Sequence, residues 1–548
     1  MASVYPANED YHQLYEVDDY SWYHGGRNLF DKTLYTIGSP QTYTLQATGT
    51  SGTLSVALTC NGSFEATVAV NDSVVGTIIR NINLDSYTEA DEQVWNYELN
   101  GILTAENTIK ITQTSGGNVR LDYLSLRQDT AKDMPDLLSA SLPVPEYVYN
   151  ILNQDHHADE PVDMVIIIPT NQQVRVQAER IKTWHEENDG MQVRIVPADE
   201  LYNEFSSGTP DATAYRRLMK MLYDRAEDES TMPCYLLLFG DCAWDNRMIS
   251  TAWRNRTPDD YLLCFESENS FSDTQCFVME DYFGLLDDGE GGSLTDEKVD
   301  LGGGRFPVTT VAEAKTMVDK TIRHLSNENA GNWKNIVSIL GDDGDNNEHL
   351  EMADDVAERV IKDNPEMEVR KVMWDAFTRV STLTNNTYPE ATRIIKEQMD
   401  EGVLVVNYTG HGATYCLSHE FVLKLEDFAS FKGTRLPLWI GAACDVMPFD
   451  GQVENIGETA VLNEEGGALA FYSTARTVYA SLNLNMNRWF MRFLLGTDSG
   501  GRRYRVGDAV RLAKNHIINE GLETYHKENK LHYALLGDPA LTFGAPVN

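Results

Sequence analysis

His411 and Cys444 each follow a short apolar run that ends in glycine or alanine, and both residue types can do nucleophilic chemistry. The first run spans 404–410 and the second 437–443. Runs of this length are typical of buried parallel strands, whose carboxyl ends commonly carry a site. A cysteine that attacks a carbonyl group needs a base beside it, because the thiolate is the nucleophile. The pair therefore predicts a cysteine nucleophile with a histidine base.

Each of the two residues also has a simple structural interpretation. His411 alone could be a loop histidine, and Cys444 alone a small apolar core residue. Thirty-three residues separate them, and residues 422–431 have a helical pattern, which leaves room for a crossover between neighbouring parallel strands. Because both residues stand at strand ends beside glycine or alanine, we favour the catalytic interpretation.

The composition limits the classes of protein that the chain can belong to. The chain has 548 residues, which is too long for a single core, and 42% of them are hydrophobic. Its net charge of −40 (44 basic minus 84 acidic residues) argues against binding to nucleic acid or to anionic membrane surfaces. Seven widely spaced cysteines are an odd number, so at least one thiol must be free.

The sequence predicts no membrane-spanning run, and its first residues predict no signal peptide. No run of about 18 apolar residues is present, so we expect no membrane-spanning segment. The first six residues lack the apolar core of a signal peptide. The protein is therefore expected to be cytoplasmic, or else to be a mature or trimmed form of a secreted protein.

The pattern along the chain predicts four regions. Residues 1–130 alternate in short polar and apolar stretches and predict an antiparallel β-sandwich, either a structural appendage or a module that binds sugars or proteins. Residues 131–160 are rich in proline near their centre and predict a linker. Residues 161–330 and 331–548 alternate apolar strands with helical patterns, so we expect two α/β/α halves with mostly parallel sheets. A nucleotide-binding protein is an alternative, but the sequence contains no phosphate-binding loop that would support it.

Two helices of the α/β regions are predicted in more detail. Thr310 and Glu313 have the spacing of a capping box, which predicts a helix that begins there and continues through Leu325, joining the two halves. A second helix is predicted from apolar residues spaced by threes and fours, which mark one buried face: Leu350, Ala353, Val356, Ala357, Val360 and Ile361.

Several motifs, spread from Leu121 to the end of the chain, resemble the gingipain family of cysteine peptidases in the caspase-like clan. The resemblance implies a caspase-like α/β catalytic unit that follows a β-sandwich. The His-Gly and Ala-Cys elements are the most specific. The motifs are Leu121-Asp-Tyr-Leu-Ser-Leu, Leu237-Leu-Phe-Gly-Asp, Glu280-Asp-Tyr-Phe-Gly-Leu-Leu-Asp-Asp, Gly304-Arg-Phe-Pro-Val, Asn407-Tyr-Thr-Gly-His-Gly, Ala443-Cys444 and Leu535-Leu-Gly-Asp-Pro-Ala-Leu.

Within that family, four segments are most similar to the branch that acts as the sortase of type IX secretion. These segments are 281–288, 423–428, 449–451 and 474–481. Members of that branch are longer on both sides of the catalytic unit, so the chain is either a trimmed form or a shorter relative. The resemblance implies a bacterial enzyme that is secreted or held at the cell surface and acts on proteins or peptides; a cytoplasmic location stays open.

The resemblance also assigns roles at the site. Cys444 is the nucleophile and His411 the general base, and no cofactor is needed for the chemistry. An acidic group in the loop after the predicted strand 336–340 orients the histidine; Asp342 aligns best with it, and Asp343 is the alternative. The backbone N–H groups of Gly412 and Cys444 are the expected oxyanion donors.

Substrate binding is assigned to three residues. Asn346 stands where arginine-specific gingipains have an acidic residue, so a strict requirement for arginine is not expected. Tyr479 stands where relatives have an aromatic wall. Arg476, close to Tyr479 in sequence, could pair with an acidic side chain or a terminal carboxylate, or form only a surface salt bridge.

The acidic run 341–348 has two interpretations. Because gingipains bind calcium, Asp343 and Asp345 are candidate ligands of a structural Ca²⁺ ion, which prefers oxygen donors. The run is otherwise a solvated acidic turn.

Three functions remain open from the sequence. The leading one is a gingipain-like cysteine endopeptidase that works through a thioester acyl-enzyme. The second is a sortase-type transpeptidase, which differs only in letting an amine rather than water resolve the thioester. The third is a catalytically silent surface protein that binds its partner through the β-sandwich.

Overall fold

The computed structural model describes residues 11–128, 144, 146–147, 153–382, 386–519 and 527–543. Contacts between residues divide the chain into two compact units. The first unit comprises residues 1–153 with two later segments, 248–255 and 268–276, and the second comprises the rest. Most of the predicted linker, 131–160, lies outside the described residues.

The first unit is a β-sandwich of two antiparallel sheets, as predicted. Its sheets have the strand orders β1-β8-β3-β6 and β2-β7-β4-β5. Inward and outward residues alternate along β4, where Phe64, Ala66 and Val68 are buried, and this alternation forms the core between the sheets. The strands are β1 (Tyr11–Glu16), β2 (Pro40–Gln46), β3 (Gly52–Cys60), β4 (Phe64–Val70), β5 (Ser73–Arg80), β6 (Asp91–Leu99), β7 (Glu106–Gly116) and β8 (Val119–Gln128).

The second unit is built on one ten-stranded sheet with the order β10-β9-β11-β12-β23-β22-β21-β17-β13-β14, to which both predicted α/β halves contribute. Neighbouring strands are parallel except β22 and β23. The strands of this unit are β9 (Met164–Ile168), β10 (Val193–Pro197), β11 (Tyr235–Phe239), β12 (Gly302–Phe306), β13 (Ile336–Gly341), β14 (Glu368–Met373), β15 (Val380–Ser381), β16 (Asn386–Thr387), β17 (Val405–Thr409), β18 (Gly412–Ala413), β19 (Cys416–Leu417), β20 (Leu423–Lys424), β21 (Leu438–Ala442), β22 (Ala470–Thr474) and β23 (Tyr533–Leu536).

Helices cover both faces of this sheet. None of those within the described residues combines the length and the apolar character that crossing a bilayer requires. Their bounds are α1 (Arg175–Trp184), α2 (Ala198–Phe205), α3 (Thr213–Arg225), α4 (Val311–Leu325), α5 (Gly344–Asp363), α6 (Pro389–Glu401), α7 (Leu425–Ser430), α8 (Ile456–Leu462), α9 (Ala480–Leu494), α10 (Val506–Asn519) and α11 (Asn529–His532).

The sheet is buried on both faces, which explains why its strands are continuously apolar. In β13, Val337 and Ile339 pack into the core with α5, α9 and α10, whereas Ile336 and Leu340 point to the opposite core. Helix α4 begins with the predicted capping box at Thr310. The predicted face of α5 is confirmed for its four middle positions, but Ile361 is 42% exposed because it lies beyond the stripe that contacts the sheet.

The motif Gly537-Asp538-Pro is an anchor inside the second unit. Asp538 is fully buried, and its Oδ2 lies 2.8 Å from Nε2 of His185. The other ring nitrogen, Nδ1, lies 2.7 Å from Oδ2 of Asp189. Burial lowers the pKa of His185, but the charges of Asp538 and Asp189 more than compensate and raise it to about 9. His185 is therefore an imidazolium at neutral pH, held between two carboxylates.

This arrangement predicts a specific pH dependence of stability. The pKa of His185 is higher in the folded state, about 9 against 6.5, so its stabilising contribution is fully present below pH 6.5 and is lost as the pH rises through about 9. We expect His185→Gln to destabilise the second unit by roughly 3 kcal/mol near neutral pH. The melting temperature, measured by calorimetry, should differ from wild type most below pH 6.5 and least above pH 9.

The exposed His24, changed to Gln, is the control, and its melting temperature should match wild type throughout. A difference for His185→Gln that stays constant with pH would show that packing rather than charge holds this residue.

Candidate active site

His411 and Cys444 lie just beyond the carboxyl ends of two neighbouring strands. In the parallel pairing of β17 with β21, Thr409 is opposite Ala442, so each candidate catalytic residue stands two positions past a paired residue. The N–H of Gly410 continues this pairing by donating to the carbonyl of Ala442 at 3.3 Å. Adjacent strands are about 4.8 Å apart, so the pairing sets the backbones of the two residues beside each other at the sheet edge.

The backbone of His411 is fixed by Asp342, which directly follows β13. The carboxylate of Asp342 is fully buried and accepts hydrogen bonds from the N–H of His411 at 3.0 Å and of Gly344 at 3.1 Å. The carbonyl of His411 accepts from the Tyr408 hydroxyl at 2.6 Å and from the Ser418 N–H at 2.9 Å. Both the backbone N–H and the backbone carbonyl of His411 are therefore hydrogen-bonded, and these bonds hold the loop in place.

The imidazole ring of His411 contacts a different carboxylate from the one predicted. Its Nε2 lies 3.2 Å from Oδ2 of Asp345, while Asp342 accepts from the backbone N–H of His411. Asp342, predicted to orient the ring, thus positions the loop, and Asp345, predicted as a calcium ligand, makes the ring contact. The reason is local: Asp342 turns inward beneath the strand end, and the chain needs three more residues to return to the ring.

That return is made in an uncommon backbone conformation. Asp345, Asn346 and Asn347 have φ values of 52°, 58° and 69°, in the left-handed region that residues with a side chain rarely adopt in succession. Asn and Asp tolerate this region best among such residues. Gly344 allows the close approach to His411, because a Cβ there would lie 2.9 Å from Cδ2 of the ring.

Two further histidines surround the ring of His411. His419 stacks on it with ring centroids 4.3 Å apart, and His349 meets it edge-on at 4.8 Å. His349 is buried, and this burial together with the neighbouring His411 lowers the pKa of His349. It is therefore neutral at physiological pH.

The thiol of Cys444 is positioned by the segment that follows β22. The N–H of Val478 points at Sγ from 3.4 Å, and the carbonyl of Val478 lies 3.3 Å from it. The thiol donates to that carbonyl and accepts from that N–H, so both backbone groups of Val478 hold the sulfur in place. The next residue, Asp445, has a φ of 50°, and burial raises its pKa despite a hydrogen bond from Thr477.

Gly412 packs directly on the backbone at Cys444. A Cβ at this position would lie 2.8 Å from the carbonyl oxygen of Cys444 and 2.9 Å from Cβ of Ala443. The two segments predicted to provide oxyanion donors are therefore in contact, and only glycine fits at this approach.

The three predicted substrate residues have different environments. Tyr479 is half-exposed at the start of α9, next to Val478, so its ring can face a substrate near Cys444. Asn346 is exposed on the left-handed turn. Arg476 is 1% exposed and forms a two-pronged ion pair with the buried Asp450, in which Nη1 and Oδ1 are 2.8 Å apart. Its predicted role in binding substrate is therefore corrected: the guanidinium serves the interior, and a surface salt bridge is also excluded.

The acidic run does not form the predicted calcium pair. Asp343 groups with Asp342 and Glu420, whereas Asp345 groups with His349 and His411. The first set consists of oxygen donors only, and Asp343 Oδ1 is buried with no hydrogen-bond partner among the described residues. Burial and the charges of Asp342 and Asp343 raise the pKa of Glu420. This set fits a Ca²⁺ ion; the second set, with two imidazoles, does not.

The seven cysteines differ in their access to solvent. Five are buried, Cys234 is exposed, and Cys444 is partly exposed. Burial raises the pKa of Cys416, the cysteine nearest to His411 in sequence, to about 11. Cys444 is thus a partly exposed thiol that follows the strand paired with that of His411.

Some site residues were not found from the sequence. His349 lies four residues before Ala353, so its place on the buried face of α5 was a usable signal. Val478 offers only backbone atoms to Cys444, so no side-chain pattern could have identified it.

The chain belongs to peptidase family C25, whose sequence pattern matches residues 157–544. The predicted membership of the gingipain family and the fold are therefore confirmed, and the family is one of cysteine peptidases.

Solved structures extend this likeness. Dimeric latent PorU from Porphyromonas gingivalis superposes with a TM-score of 0.60 and 22% identity, covering 98% of this chain and 52% of PorU. The Arg-specific cysteine proteinase gingipain R (RgpB) gives a TM-score of 0.51 with 15% identity, covering 72% of this chain and 80% of that one. The chain thus spans about half the length of PorU. At these identities the likeness concerns the fold. A search of curated protein sequences found no match.

The geometry at His411 predicts that Asp345 supports catalysis. We expect Asp345→Asn to lower kcat for peptide hydrolysis by roughly 10–100-fold, because the imidazolium loses its negatively charged partner. Because Asp345 is more than half exposed, the melting temperature of the Asp345→Asn variant should stay within about 2 °C of wild type. Glu348→Gln removes the same charge from the same exposed turn and is the matched control. Equal losses in both variants would contradict a specific role for Asp345.

Asp342→Asn is expected to behave differently. An amide cannot replace a buried carboxylate that accepts from two N–H groups without placing its own N–H₂ near a donor. We expect a lower melting temperature together with a loss of hydrolysis. Normal stability with normal kcat would show that the loop at His411 does not depend on Asp342.

Proposed function

We propose that the chain is a cysteine endopeptidase in which Cys444 attacks the peptide carbonyl and His411 moves the protons. The observation that carries this proposal is the register of β17 and β21, which places the two residues side by side at the carboxyl edge of the sheet. Membership of a cysteine peptidase family supports it.

The reaction follows from the positions of these groups. His411 accepts the proton of the Cys444 thiol, and the thiolate adds to the carbonyl carbon. The resulting oxyanion is stabilised by the N–H groups of Gly412 and Cys444. His411 then protonates the leaving amine as the C–N bond breaks, which leaves a thioester on Cys444. Water, deprotonated by His411, hydrolyses the thioester and returns the thiol. Asp345 stabilises the imidazolium that forms in both halves of the reaction.

The surroundings of the site support a preference for substrates without a required arginine. A buried guanidinium needs a carboxylate fork, and Asn346 provides an exposed amide instead. Tyr479 offers a ring against which an apolar or small side chain can pack.

A sortase-type transpeptidase is the second candidate function. The likeness to PorU covers 98% of the chain, through both units, whereas that to RgpB covers 72%. In this case an amine attacks the same thioester, and the product contains a new amide bond instead of a free carboxyl end.

We further propose that the enzyme acts outside the cytoplasm. We also propose a structural Ca²⁺ ion, held by Asp342, Asp343 and Glu420, which would neutralise the mutual repulsion of these carboxylates.

Mass spectrometry of a diverse peptide pool, incubated with the protein in the presence of glycine amide and calcium, tests these functions together. Peptides with new free carboxyl ends, absent with Cys444→Ala, are the expected result. Products that carry glycine amide would instead establish transpeptidation.

A second outcome would overturn the proposal. If intact chain produces neither product, and a thiol-reactive peptide probe labels Cys444 no faster than the exposed Cys234, the site is not a peptidase. The sandwich unit would then be the functional part.

A further inference from the structure

His349 is a buried imidazole whose position the peptidase mechanism does not use. It is 5% exposed, and neither of its ring nitrogens makes a hydrogen bond within the described residues. Its Nε2 lies 3.4 Å from Oδ2 of Asp345, the same oxygen that lies 3.2 Å from Nε2 of His411. A buried polar group without a hydrogen bond costs about 1–3 kcal/mol, and a ligand bound at Nε2, beside the Asp345 carboxylate, would offset that cost.

The spacing of these three ligand atoms fits a transition metal. They lie within 4.8 Å of one another. Bonds of about 2.0–2.1 Å to nitrogen and oxygen, at tetrahedral angles, place neighbouring ligand atoms about 3.3 Å apart. The two measured separations, 3.2 and 3.4 Å, are close to that value. The third, between the two imidazoles, is no more than 4.8 Å.

The donor set also selects the kind of metal. Two imidazole nitrogens and one carboxylate oxygen suit Zn²⁺ and related divalent ions, whereas Ca²⁺ and Mg²⁺ prefer oxygen donors only. Three protein ligands leave a fourth position for water. Asp345 is exposed and His411 partly so, which gives an ion a path from solvent.

We propose that Asp345, His349 and His411 bind Zn²⁺ and that the bound ion holds the peptidase inactive. The inhibitory consequence rests on the proposed function, since it requires His411 to be the base. A neutral imidazole that binds metal through Nε2 keeps its proton on Nδ1. Neither nitrogen can then accept the proton of Cys444, and Asp345 is withdrawn from its role. The free enzyme is recovered when a chelator removes the ion.

Binding is tested without activity in a Cys444→Ala, His157→Gln background. The first change removes the thiol as a competing ligand, and the second removes a separate possible group formed by Asp155, His157 and Glu204. Titration calorimetry with Zn²⁺ should give one ion per chain. Co²⁺ in its place should give the visible absorption of a four-coordinate site.

Two variants in that background identify the ligands. His349→Gln and Asp345→Asn should each weaken Zn²⁺ binding by at least about tenfold. Asp345→Asn, at an exposed position, covers the case in which His349→Gln does not fold. His419→Gln is the matched control, because His419 stacks on the ring of His411 but is not in the ligand group, and its affinity should be unchanged.

Inhibition by Zn²⁺ is tested with the unmodified enzyme. Zn²⁺ should abolish peptide hydrolysis, a zinc-selective chelator should restore it, and His349→Gln should raise the inhibitory concentration at least about tenfold. Absence of binding in the background, or equal affinity of His349→Gln and its parent, would overturn the metal site. A chain that binds Zn²⁺ but never hydrolyses peptides would leave the site in place and refute the peptidase instead.

Discussion

The lateral pairing of β13, β17 and β21 is the constraint on which the site depends. Gly341, Thr409 and Ala442 lie opposite one another in that sequence of strands, so the three chains leave the sheet at one level. A shift of one residue would turn every side chain to the other face. The continuous burial of these strands against two helical layers prevents such a shift, because each face has its own core to fill.

The site then builds outward from that edge in steps. Asp342, one residue past β13, ties down the loop of His411 and the start of the following turn at Gly344. The turn returns in left-handed conformation and delivers Asp345 to the imidazole. On the other side, β22 ends beside the cysteine loop and delivers Val478 to the sulfur. Strain of this kind persists only where the surrounding structure fixes it, as the buried Asp342 does here.

The sequence predicted the parts that follow from regular patterns. Apolar runs located β13, β17 and β21, and the Thr310–Glu313 spacing located the start of α4, because period and capping are local properties. The ring partner of His411 could not be predicted, since three successive left-handed residues leave no pattern that distinguishes Asp345 from Asp342. The partner of Arg476 is Asp450, 26 residues away, and such a buried pair depends on the fold as a whole.

The distribution of the cysteines has a practical side. Five of the seven thiols are buried in the interior. The residue Cys234 is exposed, but partial desolvation of its thiol and the charge of Asp163 raise the pKa of that thiol. A soft electrophile offered to the intact fold thus meets two accessible thiols, those of Cys234 and Cys444. Replacing Cys234 by serine would leave Cys444 as the one accessible thiol, so fluorescent or cross-linking reagents could be attached to the folded chain at a single position. Unfolding would expose the five hidden thiols, so the count of reacted sulfurs would itself report how much of the fold is intact.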